Sequence, residues 1–142
     1  MTIVESVKNF ILTCPLLDDL KRLNIDFLPE DPNAYSIEAV PAPEILTHYL
    51  DGSTERQFVF VFAARLCYNE EVRNNIENSG FYESFAAWLE EQTEAENFPV
   101  LTGKRTASKI EAMSSGYLYD IAGDLNNARY QIQCRLIYDK EI

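Results

Sequence analysis

The run Arg129-Tyr130-Gln131-Ile132-Gln133-Cys134-Arg135-Leu136-Ile137-Tyr138 alternates more cleanly than any other part of the chain. Tyr130, Ile132, Cys134, Leu136 and Tyr138 take every second place, and Arg129, Gln131, Gln133 and Arg135 stand between them. Successive side chains of a strand point to opposite faces, so this pattern predicts a strand with one face on a core. The other face meets water or a partner. Upstream, Lys109 to Ile121 alternates loosely, and Gly116 within it predicts a bulge or a close backbone approach. Asp120 to Asn127, with Gly123, connects the two.

Further towards the N-terminus, Arg56 to Cys67 reads as a long strand. Phe58, Phe60 and Phe62 share one face, and Gln57, Val59 and Val61 make the other partly covered as well. Tyr35-Ser36-Ile37-Glu38-Ala39 also alternates until Pro41 and Pro43 break it. Ile45 to Leu50 resumes as a strand, and Asp51-Gly52 turns the chain.

Helical spacing appears elsewhere. Thr2 and Glu5 form a capping box, followed by Ile3, Val4, Val7, Phe10, Ile11 and Cys14 along one stripe that Pro15 ends. Leu16, Leu17, Leu20 and Leu23 predict a further helical turn or two. Asn24 to Asn33, with Pro29 and Pro32, reads as a loop holding a short strand at Ile25 to Leu28. Asn69 caps a helix through Val72 and Ile76, with Glu70 and Glu71 in its first turn. Ser79-Gly80 ends that pattern, and Phe81, Phe85, Trp88 and Leu89 start a separate helix reaching about Thr93. Glu83, Glu90, Glu91 and Glu94 occupy its other face, and a loop from Glu96 to Thr106 follows. Short links between these elements favour antiparallel pairing. The reading is one α+β domain over 1–142: an antiparallel sheet of about four to five strands with helices packed on one face.

Composition narrows the function. The net charge of -11 comes from 23 acidic and 12 basic residues. The bases are scattered singly or in pairs such as Lys21-Arg22 and Lys104-Arg105, which argues against a specific nucleic-acid binder. No apolar run approaches a membrane span, and Met1-Thr2-Ile3-Val4-Glu5 lacks the basic start of a secretory signal. Cys14, Cys67 and Cys134 lie far apart with no C-x-x-C pair, as expected of buried thiols in a reducing compartment.

Motifs for chemistry are missing. The chain has no G-x-G-x-x-G, no G-x-x-x-x-G-K-[ST] and no G-x-S-x-G. His48-Tyr49-Leu50-Asp51-Gly52 resembles a shortened H-x-x-x-D-G motif of chloramphenicol-acetyltransferase-type enzymes, whose His is a general base. The spacing is one residue short, which on a strand sends the side chain to the opposite face. Asp51-Gly52 is better read as a hairpin turn and His48 as an ordinary strand residue. No catalytic, cofactor-binding or metal-ligating residue is expected.

Several segments in order carry a resemblance. They are Tyr35-Ser36-Ile37-Glu38 with the Pro41-x-Pro43 break, and Leu50-Asp51-Gly52-Ser53-Thr54 leading to Arg56-Gln57-Phe58-Val59-Phe60. Asn78-Ser79-Gly80-Phe81-Tyr82-Glu83 with Trp88-Leu89, Ser115-Gly116-Tyr117-Leu118-Tyr119 and Ala128-Arg129-Tyr130-Gln131-Ile132-Gln133-Cys134-Arg135-Leu136 complete the set. Together they resemble the small minor capsid proteins of tailed phages and prophages of Gram-positive bacteria, which are similar to tail-terminator and tail-completion proteins. The resemblance implies a virion protein, assembled in the bacterial host cytoplasm, whose subunits form a ring, commonly a hexamer. Such a ring caps the tail tube, contacts the tail tube protein and offers a surface to the head-connector protein. It implies no cofactor and no enzymatic activity. A monomeric adaptor of a prophage is the first alternative, and a small acetyltransferase using His48 is a remote second.

For an interface, Tyr49, Tyr117 and Tyr119 near strand ends, Arg56 after a turn, and the outer positions Gln131 and Gln133 are the expected contact residues.

Overall fold

The computed structural model describes residues 2–17, 23–26, 28, 34–67, 72–121 and 127–142, with side chains for all of these except 66–67, 72–79, 120–121 and 127. The elements in order are α1 (Ile3–Ile11), β1 (Leu23–Ile25), β2 (Tyr35–Ala39), β3 (Ile45–His48), β4 (Thr54–Cys67), α2 (Val72–Glu94), β5 (Arg105–Ala112), β6 (Tyr117–Ile121) and β7 (Asn127–Lys140).

All the strands join one open, seven-stranded sheet. The alternating C-terminal run and the Phe58–Phe62 run form its centre: β4 and β7 pair antiparallel from Thr54↔Lys140 to Cys67↔Asn127. On the outer side of β4, β3 pairs with its first residues and β2 with Phe60–Ala64, so the two follow one another along the same flank. On the outer side of β7, β5 and β6 do likewise. Beyond β2, β1 lies parallel to it.

The register fixes two faces. Phe58, Phe60, Phe62 and Ala64 stand opposite Leu136, Cys134, Ile132 and Tyr130, and both described helices pack on this side. From α1, capped by Thr2 Oγ1 accepting from the Glu5 amide at 3.2 Å, Val7, Phe10 and Ile11 enter the core. From α2, Tyr82, Phe85, Trp88 and Leu89 do so; the Phe85 ring stacks on Phe62 with centroids 4.4 Å apart, and Phe10 meets Trp88 at 5.1 Å.

Several expectations change. The sheet has seven strands instead of about four to five, and it is mixed, because the β1–β2 pair is parallel. Leu23 opens β1, where a helical turn was expected; Leu20 lies outside the described residues. That strand spans Leu23–Ile25 and stops where Asp26 takes a positive φ of 54°, short of Leu28. Gly80 does not divide two helices: α2 runs through it. Packing against the sheet outweighs the modest helical cost of one glycine. The Asn69 cap with Glu70 and Glu71 lies outside the described residues. Lys109 to Ile121 is two strands, β5 and β6, separated at 113–116. Gly116 is at a close approach, as anticipated: a Cβ placed there would lie 2.3 Å from Tyr82 Cβ.

Candidate interaction surface

The two flanks of the sheet end differently. On the β7 side, α2 folds against β5, and Thr93 Oγ1 donates to the Ile110 carbonyl at 2.7 Å and accepts from its amide at 3.2 Å. The side chain of Thr93 thus satisfies backbone groups that a new strand would otherwise seek. Lys109 and Glu111, 3.5 Å apart, add charge to the same strand.

On the β4 side, every residue of β3 is exposed. Ile45, Leu46, Tyr49 and Leu50 present apolar surface to solvent, and no charged residue occurs between Ile45 and Leu50. A tight turn holds this hairpin: Gly52 sits at φ 91°, and Asp51 Oδ1 accepts from the Ser53 amide at 2.9 Å and from its hydroxyl. Those bonds lower the Asp51 pKa. A register shift between Ile45 and Thr47 shortens the regular ladder.

Of the expected contact residues, Tyr49 and Arg56 fall at this corner. Tyr49 is half exposed, and its hydroxyl donates to Asp139 Oδ1 at 3.4 Å. Partial desolvation, then the Asp139, Glu55 and Asp51 carboxylates, push its phenol pKa upward. Arg56 is engaged within the chain: Nη1 pairs with Glu44 Oε1 at 3.0 Å, and Nε donates to Thr54 Oγ1 at 2.9 Å. The Arg56 hydrogen bond lowers the Glu44 carboxyl pKa, and the Tyr138 hydroxyl donates to Glu44 at 3.3 Å.

The other four lie towards the far end of the β4–β7 ladder or along β7. Among the described residues no helix covers this second face of the sheet. Val59, Val61, Ala63 and Ile137 are buried there all the same, beneath a layer of polar side chains. Arg129 Nη2 pairs with Glu38 Oε1 at 2.9 Å, Arg129 Nε donates to Gln131 Oε1 at 3.1 Å, and Gln131 Nε2 donates to the Tyr117 hydroxyl at 2.6 Å. The Arg129 guanidinium also lies 5.0 Å from the centroid of the Tyr119 ring. Arg135 is held by Glu111 at 2.9 Å and Gln57 at 3.4 Å. Gln131 is therefore no free outer position: it is 6% exposed and completes this network. Gln133 is exposed, and Tyr117 and Tyr119 are too.

Sequence reasoning missed two pairs that the register creates. On the helix-free face Glu55 stands directly opposite Asp139 at one end of the ladder, and Arg65 opposite Arg129 at the other. Like charges directly opposite one another are unfavourable. Glu38 neutralises Arg129, whereas Arg65 Nε and Nη1 are buried with no hydrogen-bond partner among the described residues. No local sequence signal identifies either pair, because the partners are far apart in the chain.

His48 is exposed and faces Thr54 across the ladder, while the carboxylate of Asp51 is spent on Ser53. Cys14 and Cys134 are buried, and burial raises the Cys134 thiol pKa. Among the described residues no group of three or more His, Cys, Asp or Glu side chains is placed to hold a metal, and no helix is long and apolar enough to cross a membrane. A cleft of about 770 Å³ runs between Tyr82, Glu83 and Ala86 of α2 and the 112–116 segment.

No known family model matches the chain, and no curated protein matches it.

Proposed function

We propose that this chain is a structural assembly subunit that works through protein–protein contacts and carries out no catalysis. The β3 hairpin carries the reading. An uncharged, apolar edge strand left open on a chain of net charge -11 is a liability unless another chain covers it. Strand addition at such an edge supplies main-chain hydrogen bonds, and the neighbouring apolar side chains supply area. The ordered resemblance to phage minor capsid proteins supports the more specific reading of a tail-terminator-like or head–tail joining protein of the virion, forming a ring that caps the tail tube. The tail tube protein and head connector would be its neighbours.

The test is mass in solution by light scattering over a wide concentration range, for the wild type and for Leu50→Asp. Assembly that grows with concentration, and is lost in Leu50→Asp without loss of fold, supports the reading. Identical monomeric behaviour of both up to the highest soluble concentration counts against it. The phage role is tested by the gene neighbourhood, where genes for a major tail protein and a tape measure should lie close by.

A further inference from the structure

We infer that copies of this chain join knob into hole: the Tyr49-Leu50 turn of one copy seats in an apolar pocket between α1 and the 97–100 segment of another. This rests on the assembly reading above and deepens it by naming what receives the exposed hairpin.

The knob is prepared within the fold. Leu50 is the most exposed large apolar side chain among the described residues. The turn that carries it is already held: the Tyr49 amide donates to the Ser53 carbonyl at 3.0 Å, and the Gly52 amide donates to the Tyr49 carbonyl at 3.1 Å. Asp51 ties Ser53 on the same turn, and Ile142 backs it, since a Cβ on Gly52 would come within 3.0 Å of Ile142 Cδ1. An apolar side chain presented on a fixed turn loses little freedom on burial, which suits it as an anchor.

The hole lies in the helix layer. Ser6, Asn9, Phe10 and Thr13 recur at helical spacing and set one side of α1 against Phe98, Pro99 and Val100. A pocket of about 380 Å³ is left between them, with room for a leucine and part of a neighbouring ring. Its floor is firm, because Phe10 is buried and its ring meets Trp88 at 5.1 Å.

Charge decides the match. No ionisable side chain lines this pocket. The cleft at Tyr82 contains Glu83, and the groove beside it adds Glu90, Lys109 and Glu111, so an apolar knob seated in either would desolvate charge. Ile45 to Leu50 carries no charge either. Two copies bearing -11 each repel wherever their carboxylates face one another, so a contact between them is best made where both surfaces are apolar and uncharged. Knob and hole meet that condition. A basic partner would instead be drawn to the acidic clefts and gains nothing from a neutral pocket. Leu50 stands fully in solvent and does not fill the pocket of its own chain, so a second copy supplies it. Two unlike patches meet, and each copy can give its turn to one neighbour and its pocket to the next, closing a ring or running on as a fibre.

The experiment uses the full chain with Leu50→Asp, which spoils the knob, and Val100→Glu, which charges the mouth of the hole. Sedimentation velocity is run on each alone and on an equimolar mixture. Each variant alone should assemble at least about tenfold more weakly than the wild type (about 1.4 kcal/mol per factor of ten), and Leu50→Met should assemble as the wild type does. The mixture holds one intact knob and one intact hole, so it should form one-to-one pairs and nothing larger. Thermal melts check the fold; if Val100→Glu does not fold, Asn9→Trp, which crowds the same pocket from α1, replaces it with the same loss expected. Assembly that is lost in Leu50→Asp but unchanged in the pocket variant overturns the knob-into-hole contact and leaves the assembly reading standing. A mixture no better than its components also overturns it. A wild type that stays monomeric at every concentration overturns both.

Discussion

The edges at β5 and β3 belong to the same sheet and have been finished in opposite ways. The β5 edge carries Lys109 and Glu111, lies under α2, and has its Ile110 backbone groups held by Thr93. The β3 edge carries no charge, is exposed at every residue, and leads to Leu50, which projects fully into solvent. A folded chain that can close one edge with a threonine hydroxyl has no structural need to leave the other open. Stability alone favours closing such an edge, and the assembly proposed above would account for its being left open.

The comparison can be broken most forcefully on the closed side. Gly116→Ala forces a methyl group into Tyr82 at the β5–β6 junction, beside the point where the Tyr82 hydroxyl donates to the Tyr130 carbonyl at 2.8 Å. A loss of roughly 2–3 kcal/mol is expected in urea unfolding, as for overpacking of a tight site. Thr93→Val keeps the shape and removes the hydroxyl. It should cost about 1–2 kcal/mol and leave the Ile110 backbone groups unsatisfied. The same variant should begin to self-associate through β5, which dynamic light scattering would detect.

On the open side the effects on stability shrink and those on assembly grow. Arg65→Leu should stabilise the free monomer by about 1 kcal/mol, by removing buried nitrogens that have no hydrogen-bond partner among the described residues and a like charge opposite Arg129. A purely structural arginine would show stability falling instead. The smallest effect concerns acid. Arg56 depresses the Glu44 carboxyl below its ordinary 4.5, so the paired form adds stability that is fully present above that value. The contribution is lost as pH falls through the lowered value. Glu44 is largely exposed, so Glu44→Gln should flatten the acid limb of the stability curve only slightly.

Much of this architecture was legible because it is written in local periodicity. The two-residue alternation around Ile132 and Phe60 located the central strands, and the T-x-x-E start located α1. Gly116 announced a close approach, although the residue it approaches, Tyr82, could not be named from sequence. What stayed hidden depends on contacts distant in the chain. The parallel docking of β1 on β2 and the continuity of α2 through Gly80 are decided by the sheet surface that receives them. At the candidate surface, Tyr49, Tyr117 and Tyr119 were expected as contact residues from their places near strand ends, and all three are exposed. Gln131 was misread as an outer position because alternation gives the face and not what lies over it; Arg129 and Tyr117 bond to its amide. The opposition of Arg65 to Arg129 exists only once β4 and β7 are in register, and no pattern within either strand reveals it.

The most direct measurement is amide hydrogen exchange in dilute and in concentrated solution, compared between Ile45–His48 and Arg105–Ala112. Protection that rises with concentration at Ile45–His48 and stays constant at Arg105–Ala112 is the result expected of an open edge that a second chain covers. Exchange at Ile45–His48 that is the same at every concentration would contradict it.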